Sequence, residues 1–329
     1  MAFMKSPDRR RVLHLAAAAA LLPAVSRVAR AQAYPSRPVR IIVPFPAAGL
    51  SDIVTRLVGQ WLSERLATPF VIENRPGAAS NLGTEVVVNA PPDGYTLLNL
   101  SSANATNATM YDKLNFNFIR DIAPVASFVR FPYVLEVNPS VPVKTVPELI
   151  AYAKANPGKL SIASAGTGTP AHIAGELFKQ TTGIDMVHVP YRGAALALTD
   201  LIGGQVQVMI DNMAASLEHI RAGRLRALAV TTATRLETLP DLPTVGEFVP
   251  GFEASSMNGL GAPKHTPAEI VDKLNKEINA ALADPKIKAR IADLGLTPLV
   301  GSPADLEKLI ADETEKWGKV IRAANIKPN

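Results

Sequence analysis

Apolar residues along the chain follow two alternating rhythms. Val39-Arg40-Ile41-Ile42-Val43 is a short β-branched run, the pattern of a buried strand. A loop rich in proline and glycine follows. Ile53, Leu57, Val58, Trp61, Leu62 and Leu66 then recur at the spacing of an amphipathic helix that begins at Asp52. Phe70-Val71-Ile72-Glu73 and Thr96-Leu97-Leu98-Asn99-Leu100 predict two more strands, and 160–163, 186–189, 206–211 and 225–230 predict others. Thr145-x-x-Glu148 and Thr266-Pro267-Ala268-Glu269 have the form of capping boxes, and Ser302-Pro303-Ala304-Asp305 has the same form with Asp for Glu. Strands alternating with helices imply α/β layers with largely parallel sheets. The length of the body favours two sheets of ordinary size over one.

The first 31 residues read differently. The basic cluster Asp8-Arg9-Arg10-Arg11-Val12-Leu13 precedes an apolar run from Leu15 to Leu22, and a small-residue segment ends Ala29-Arg30-Ala31-Gln32-Ala33. This charged, apolar, small order is that of an export signal, with cleavage after Ala31 or after Ala33. The run is too short to span a bilayer, which takes about 20 helical residues. The arginines resemble a twin-arginine signal, and an ordinary Sec signal with extra arginines accounts for them equally. The expected product is a soluble periplasmic protein of a Gram-negative cell.

Of 329 residues, none is Cys. This excludes disulfides, a thiol nucleophile and thiolate zinc sites, and suits an oxidising compartment. The net charge of +5 suggests a polyanion binder, but six basic residues and one acid fall in the first 31 positions. The remainder carries 28 of each sign, which leaves no electrostatic case for nucleic acid or an anionic membrane. No nucleophile elbow, Walker loop, H-E-x-x-H or dinucleotide fingerprint is present, and five scattered histidines offer no metal-ligand spacing. No catalytic residue, metal or cofactor is expected.

Two strand-to-helix loops share one design. Val43-Pro44-Phe45-Pro46-Ala47-Ala48-Gly49-Leu50-Ser51-Asp52 and Ala163-Ser164-Ala165-Gly166-Thr167-Gly168-Thr169-Pro170 both place small residues before a helix start. Small residues let a ligand approach the backbone, and Ser51 or Asp52, and Thr169, stand where an N-cap belongs. A helix N-terminus offers unpaired N–H groups and a positive dipole end, which together favour an anion. Two such ends converging on one group bind an anion without Arg or Lys; phosphate suits them as well as carboxylate.

These residues carry a resemblance. Tyr34-Pro35-Ser36-Arg37-Pro38-Val39-Arg40-Ile41-Ile42-Val43-Pro44-Phe45-Pro46-Ala47 is similar to the mature N-terminus of the Bug family, the periplasmic receptors of tripartite tricarboxylate transporters. Glu73-Asn74-Arg75-Pro76-Gly77, Pro92-Asp93-Gly94-Tyr95-Thr96-Leu97-Leu98, Ser164-Ala165-Gly166-Thr167-Gly168-Thr169, Val189-Pro190-Tyr191-Arg192-Gly193, Leu201-Ile202-Gly203-Gly204-Gln205-Val206 and Leu239-Pro240-Asp241-Leu242-Pro243-Thr244 continue it. The resemblance implies a type II-like two-lobe periplasmic-binding-protein fold. Each lobe is a mixed sheet flanked by helices, with a cleft between them. Residues 32–130 plus 255–329 form one lobe and 131–254 the other, with crossings near 128–133 and 252–261. It further implies a small carboxylate held between the two loops by backbone N–H groups and water, and lobe closure read by a membrane permease. A phosphate or other oxyanion, or a signalling partner in place of the permease, is the alternative. A monomer is expected.

Three departures bear on ligand identity. Ala47-Ala48-Gly49 replaces Ala-Gly-Gly, and Ala48 is expected to resist positive φ. Ala78-Ala79-Ser80-Asn81 replaces a glycine pair, and Ser101-Ser102 replaces Gly-Ser.

The expected ligand contacts are Phe45, Ala47, Ala48, Gly49, Ser51 and Asp52 in the first loop; Asn81; Ser101 and Ser102 at a strand end; and Ser164, Gly166, Thr167, Gly168, Thr169 and His172 in the second. Tyr191 and Gly193 at a third strand-to-helix turn, and Asp211 at the end of a buried strand, complete the set. Asp52 is expected to hold backbone or water, or to meet a ligand's amino group, rather than face a carboxylate. His172, in a helix's first turn, is expected to be a neutral hydrogen-bonding group.

Overall fold

The computed structural model describes residues 34–111 and 113–327. The export signal and its cleavage site, expected within residues 1–33, lie outside them. β1 (Val39–Val43) pairs in parallel with β2 (Phe70–Asn74) and β3 (Thr96–Ser101). β9 (Ser255–Pro263) runs antiparallel to β3 and to β4 (Ile122–Val137), and the short β10 (Thr297–Pro298) adds to β4. The other half centres on β7 (Val208–Asn212), which pairs antiparallel with β4 and parallel with β5 (Ser161–Ser164); β5 in turn pairs in parallel with β6 (Val187–Pro190). β8 (Arg226–Val230) joins the far end of β4.

β4 belongs to both halves. Its residues up to Pro132 pair with β9, and from Tyr133 onward its partners are β7 and β8. The result is a two-lobed α/β fold, each lobe a mixed sheet flanked by helices.

The helices cover the sheets as the apolar spacing requires. α1 (Leu50–Arg65) buries Val54, Val58 and Leu62, and its Gly59 lies over Ile72 of β2. α2 (Asn81–Val88) covers the opposite face with Val87, which packs with Ile42, Leu98 and Leu100. α3 (Ser102–Met110) follows β3, and α4 (Phe118–Asp121) leads into β4. α5 (Val146–Ala155), α6 (Pro170–Thr182), α7 (Ala194–Ile202) and α8 (Met213–Arg221) flank the second sheet. α9 (Ala268–Ala283) and α10 (Pro285–Asp293) precede α11 (Pro303–Ala323). α11 places Leu306 and Ile310 in one apolar cluster and Trp317, Val320 and Ile321 in a second. No helix among the described residues is long and apolar enough to cross a membrane.

Of the three expected capping boxes, those at Thr145 and Ser302 do cap their helices, as does Thr169. Thr145, Thr169 and Ser302 each accept an amide from the first turn, and Ser302 with Asp305 closes a full capping box. Thr266 does not cap. Its hydroxyl donates to the Pro263 carbonyl at 2.7 Å, and Pro267 occupies the N-cap position of α9.

Candidate ligand-binding site

β1 ends at Val43, and the chain turns through residues 44–49 into α1. Gly49, not Ser51 or Asp52, is the N-cap, and its extended backbone carries no side-chain cap. Ile53 is the first residue to bond back, to the Gly49 carbonyl at 2.9 Å. The amides of Leu50, Ser51 and Asp52 find no acceptor among the described residues. Ala47, Ala48 and Gly49 are exposed beside them, and Phe45 is half-buried.

Asp52 is only 2% exposed. Its Oδ2 accepts the Ala48 amide and Arg56 Nε, each at 2.9 Å, and its Oδ1 accepts Asn74 Nδ2 at 2.9 Å. Arg56 also donates to Asn74 Oδ1 at 3.0 Å, and Asn74 Nδ2 reaches the Phe45 carbonyl at 3.1 Å. Burial pushes the Asp52 carboxyl up, but Arg56, the Ala48 amide and Asn74 outweigh it and hold the group below its ordinary value. The acid that would repel an anion is therefore engaged internally, as its sequence position suggested. Ala48 corrects an expectation: it does adopt positive φ, at 65°. The left-handed region costs a residue with a Cβ about 1–2 kcal/mol, and the hydrogen bond from its amide to Asp52 offsets that cost.

The next loop is more strained. Gly77, Ala78, Ala79 and Ser80 all have positive φ, at 133°, 46°, 49° and 80°. Asn107 of α3 holds this run, donating to the Ala79 carbonyl at 2.6 Å and to Asn81 Oδ1 at 2.9 Å. Asn81 is buried and opens α2 without capping it. Ser101 caps α3: its Oγ accepts the Ala103 amide, and Asn104 Oδ1 accepts the Ser101 amide. Ser102 Oγ accepts the Met257 amide at 3.1 Å. Both serines are buried and engaged within the fold.

The second loop is built around two histidines. The Gly168 amide donates to Nδ1 of His172 at 2.9 Å, so it is not free, as the sequence had suggested. Thr169 caps α6 by accepting the His172 amide, and its hydroxyl donates to the Gly166 carbonyl at 2.8 Å. The His172 ring stacks on His188, with centroids 3.8 Å apart and planes 11° from parallel. His188 Nε2 lies 2.7 Å from Ser164 Oγ, which also accepts the Gly166 amide at 3.3 Å. Burial, then the neighbouring His172, pushes His188 down to about 4, so its ring is neutral. The Thr167 amide has no acceptor among the described residues.

Around this loop, the Tyr191 amide donates to the Ser164 carbonyl, and its hydroxyl donates to Asp200 Oδ2 at 2.7 Å. Gly193 donates to the Ala165 carbonyl and is the N-cap of α7. Asp211 does not cap α8; Asn212 does, accepting the Ala214 amide. Asp211 is buried with Oδ2 unpaired among the described residues, and burial raises it to about 6.

α3 links the two loop systems. It leaves β3 beside the strand that feeds the first loop, its Asn107 fastens residues 79–81, and its last residue, Met110, borders the second loop. A Cβ placed on Gly168 would fall 2.8 Å from Met110 Cε. No direct hydrogen bond joins residues 44–52 to 163–170 among the described residues. A cavity of about 1040 Å³ opens elsewhere, between β4, residues 232–238, β10 and α11. Sequence reasoning missed Arg56, Asn104, Asn107 and His188. Only Asn74, directly before Arg75-Pro76-Gly77, lay in a motif that marked it.

Comparison with known proteins identifies the family of the chain. The family model described as the tripartite tricarboxylate transporter family receptor matches residues 54–326. BugT of Bordetella pertussis is 38% identical over 301 residues, spanning 90% of this chain and 92% of its own. The R. palustris structure of Rpa4515 with adipate is 38% identical, covers 90% of this chain and 100% of that one, and superposes with a TM-score of 0.77. The structure of MatC from Rhodopseudomonas palustris with bound malate is 32% identical, covers 88% of this chain and 100% of that one, and has a TM-score of 0.72. With its loops, caps and strand order in place, the chain belongs to the tripartite tricarboxylate transporter receptor family.

Proposed function

We propose that the protein is a periplasmic receptor that captures a small carboxylate between the loops at 44–52 and 163–170 and presents it to a tripartite tricarboxylate-type permease. The observation that carries this reading is the first turn of α1. Three amides there lack acceptors among the described residues, while the acid of that turn, Asp52, is occupied by Arg56, Asn74 and Ala48. The second loop adds the Thr167 amide. The adipate and malate bound to the two related structures support a carboxylate as ligand.

In this reading one lobe comprises 32–130 plus 255–329 and the other 131–254, and the ligand favours the closed arrangement by contacting both. The receptor itself performs no chemistry on its ligand. A thermal-shift panel of mono-, di- and tricarboxylates, amino acids, aromatic acids and phosphate tests it. A ligand at a hundred times its Kd adds about 2.7 kcal/mol of stability. A shift with phosphate and none with any carboxylate rejects the reading, and turnover of a hit rejects the receptor class.

A further inference from the structure

The second loop contains more hydrogen bonding than an anion site of bare backbone requires. Its two critical glycines are each held by a side chain: Gly168 by His172 Nδ1 at 2.9 Å, and Gly166 by Ser164 Oγ at 3.3 Å. Ser164 is in turn fixed by His188 Nε2 at 2.7 Å, and the two imidazoles lie face to face. We propose that the stacked pair His172–His188 is a positioning device that sets the peptide planes of residues 166–168 for the ligand, and that neither ring touches the ligand itself. The inference rests on the reading that the second loop contacts the ligand.

Three features of the geometry support it. First, an N–H donated to Nδ1 requires that this nitrogen carry no proton. The His172 proton then sits on Nε2, on the side of Glu176, whose Oε1 lies 3.7 Å away. Lys179 pairs with the same Glu176 oxygen at 2.9 Å, so the carboxylate is anchored on the helix. Second, every contact of Ser164 is satisfied at once if His188 carries its proton on Nε2. Ser164 Oγ then accepts from His188 and from the Gly166 amide, and its own hydroxyl donates to the Gly166 carbonyl at 3.2 Å. Third, Gly168 sits at φ 76° and Gly166 at φ 145°. Such peptides have several orientations of similar energy unless something outside the backbone selects one. With the Gly168 amide bound by His172, the donor left to face a ligand in this turn is that of Thr167.

The test uses the full mature chain and two readouts. In the free protein, 15N-labelled spectra should show a scalar coupling across the N–H···N bond between the Gly168 amide and His172 Nδ1. Amide exchange at Gly168 should rise at least about tenfold in His172→Ala, which is the loss of one hydrogen bond at about 1.4 kcal/mol per decade. His172→Asn, whose Oδ1 can take the place of Nδ1, should restore protection. Calorimetric titration with adipate and with malate should then show affinity about tenfold weaker in His172→Ala and in His188→Ala, and within about threefold of the parent in His172→Asn. Circular dichroism of the Asn variant controls for folding.

Absence of the coupling, or exchange at Gly168 unchanged in His172→Ala, overturns the proposal. So does a disordered loop with undiminished affinity, or an Asn variant as impaired as the Ala variant. If neither acid binds the parent chain, the ligand reading for these acids has failed, and the coupling and exchange data still decide whether the histidines set the loop.

Discussion

The backbone amide of Ala48 donates to Oδ2 of Asp52 at 2.9 Å, across a turn in which Ala48 is left-handed. The same oxygen accepts Arg56 Nε, so one carboxylate both fixes the loop and carries its own counter-charge. Asp52→Ala removes the acceptor for Ala48 and costs Arg56 and Asn74 one hydrogen bond each, leaving them paired with each other. It should cost about 1–3 kcal/mol in chemical denaturation and weaken ligand binding more than tenfold. Ala48→Gly should do the reverse for stability, gaining about 1 kcal/mol by relieving the left-handed strain, with affinity little changed. Paired denaturation and titration curves check both.

The strained run from Gly77 to Ser80 depends on a residue nearly thirty positions away. Asn107 supplies hydrogen bonds to Ala79 and Asn81 from a buried position on α3. Asn107→Leu leaves those acceptors unpaired and should destabilise the protein by about 1–3 kcal/mol. Faster amide exchange confined at first to residues 77–81, measured by mass spectrometry, is the expected local signature.

Gly168 has positive φ, and Met110 stands where its Cβ would go. Gly168→Val should therefore weaken binding strongly, because the turn must change shape to admit the side chain. The flexible end of Met110 can move aside, so the fold should survive at a cost of about 1–2 kcal/mol. Unaltered affinity in this variant would remove the second loop from the site.

Stability should fall as pH rises through the neutral range. Glu136 is fully buried on β4, accepts from Ser216 and has no other hydrogen-bond partner among the described residues, and burial raises its carboxyl to about 8. Asp211, on the neighbouring strand, is raised to about 6. An acid whose folded-state value lies above its unfolded value binds its proton more tightly when folded. Its contribution is fully present below the unfolded value, near 4.5 for Glu136, and is lost as pH climbs towards 8. Melting temperatures recorded from pH 4.5 to 8.5 should decline, and Glu136→Gln should flatten the curve.

Much of the fold was legible in the sequence because strands and helices alternate with clear periodicity. The runs at 39–43, 70–73 and 96–100 became β1, β2 and β3, and the strands expected at 160–163 and 186–189 are displaced by one residue. β4 and β9 were not read as strands from the residues themselves. Pro124, Pro132 and three glycines or prolines in β9 break the usual signal. The resemblance alone marked those stretches, as crossings between lobes.

The loops were legible as loops, but their wiring was not. Nothing local announces that Asn107 reaches Ala79 or that His188 supports Ser164, because those pairs are brought together by the sheet order. Ala48 was misjudged because its side chain was weighed alone. The acceptor that makes the left-handed turn tolerable lies four residues further on, at Asp52.

α11 contributes side chains to two separate apolar clusters, and β4 hydrogen-bonds into both sheets. Neither half can melt without stripping buried surface from a rod and a ribbon that the other half needs intact. Scanning calorimetry should accordingly record one heat-absorption peak rather than two, with thermodynamic cooperativity extending across the whole body.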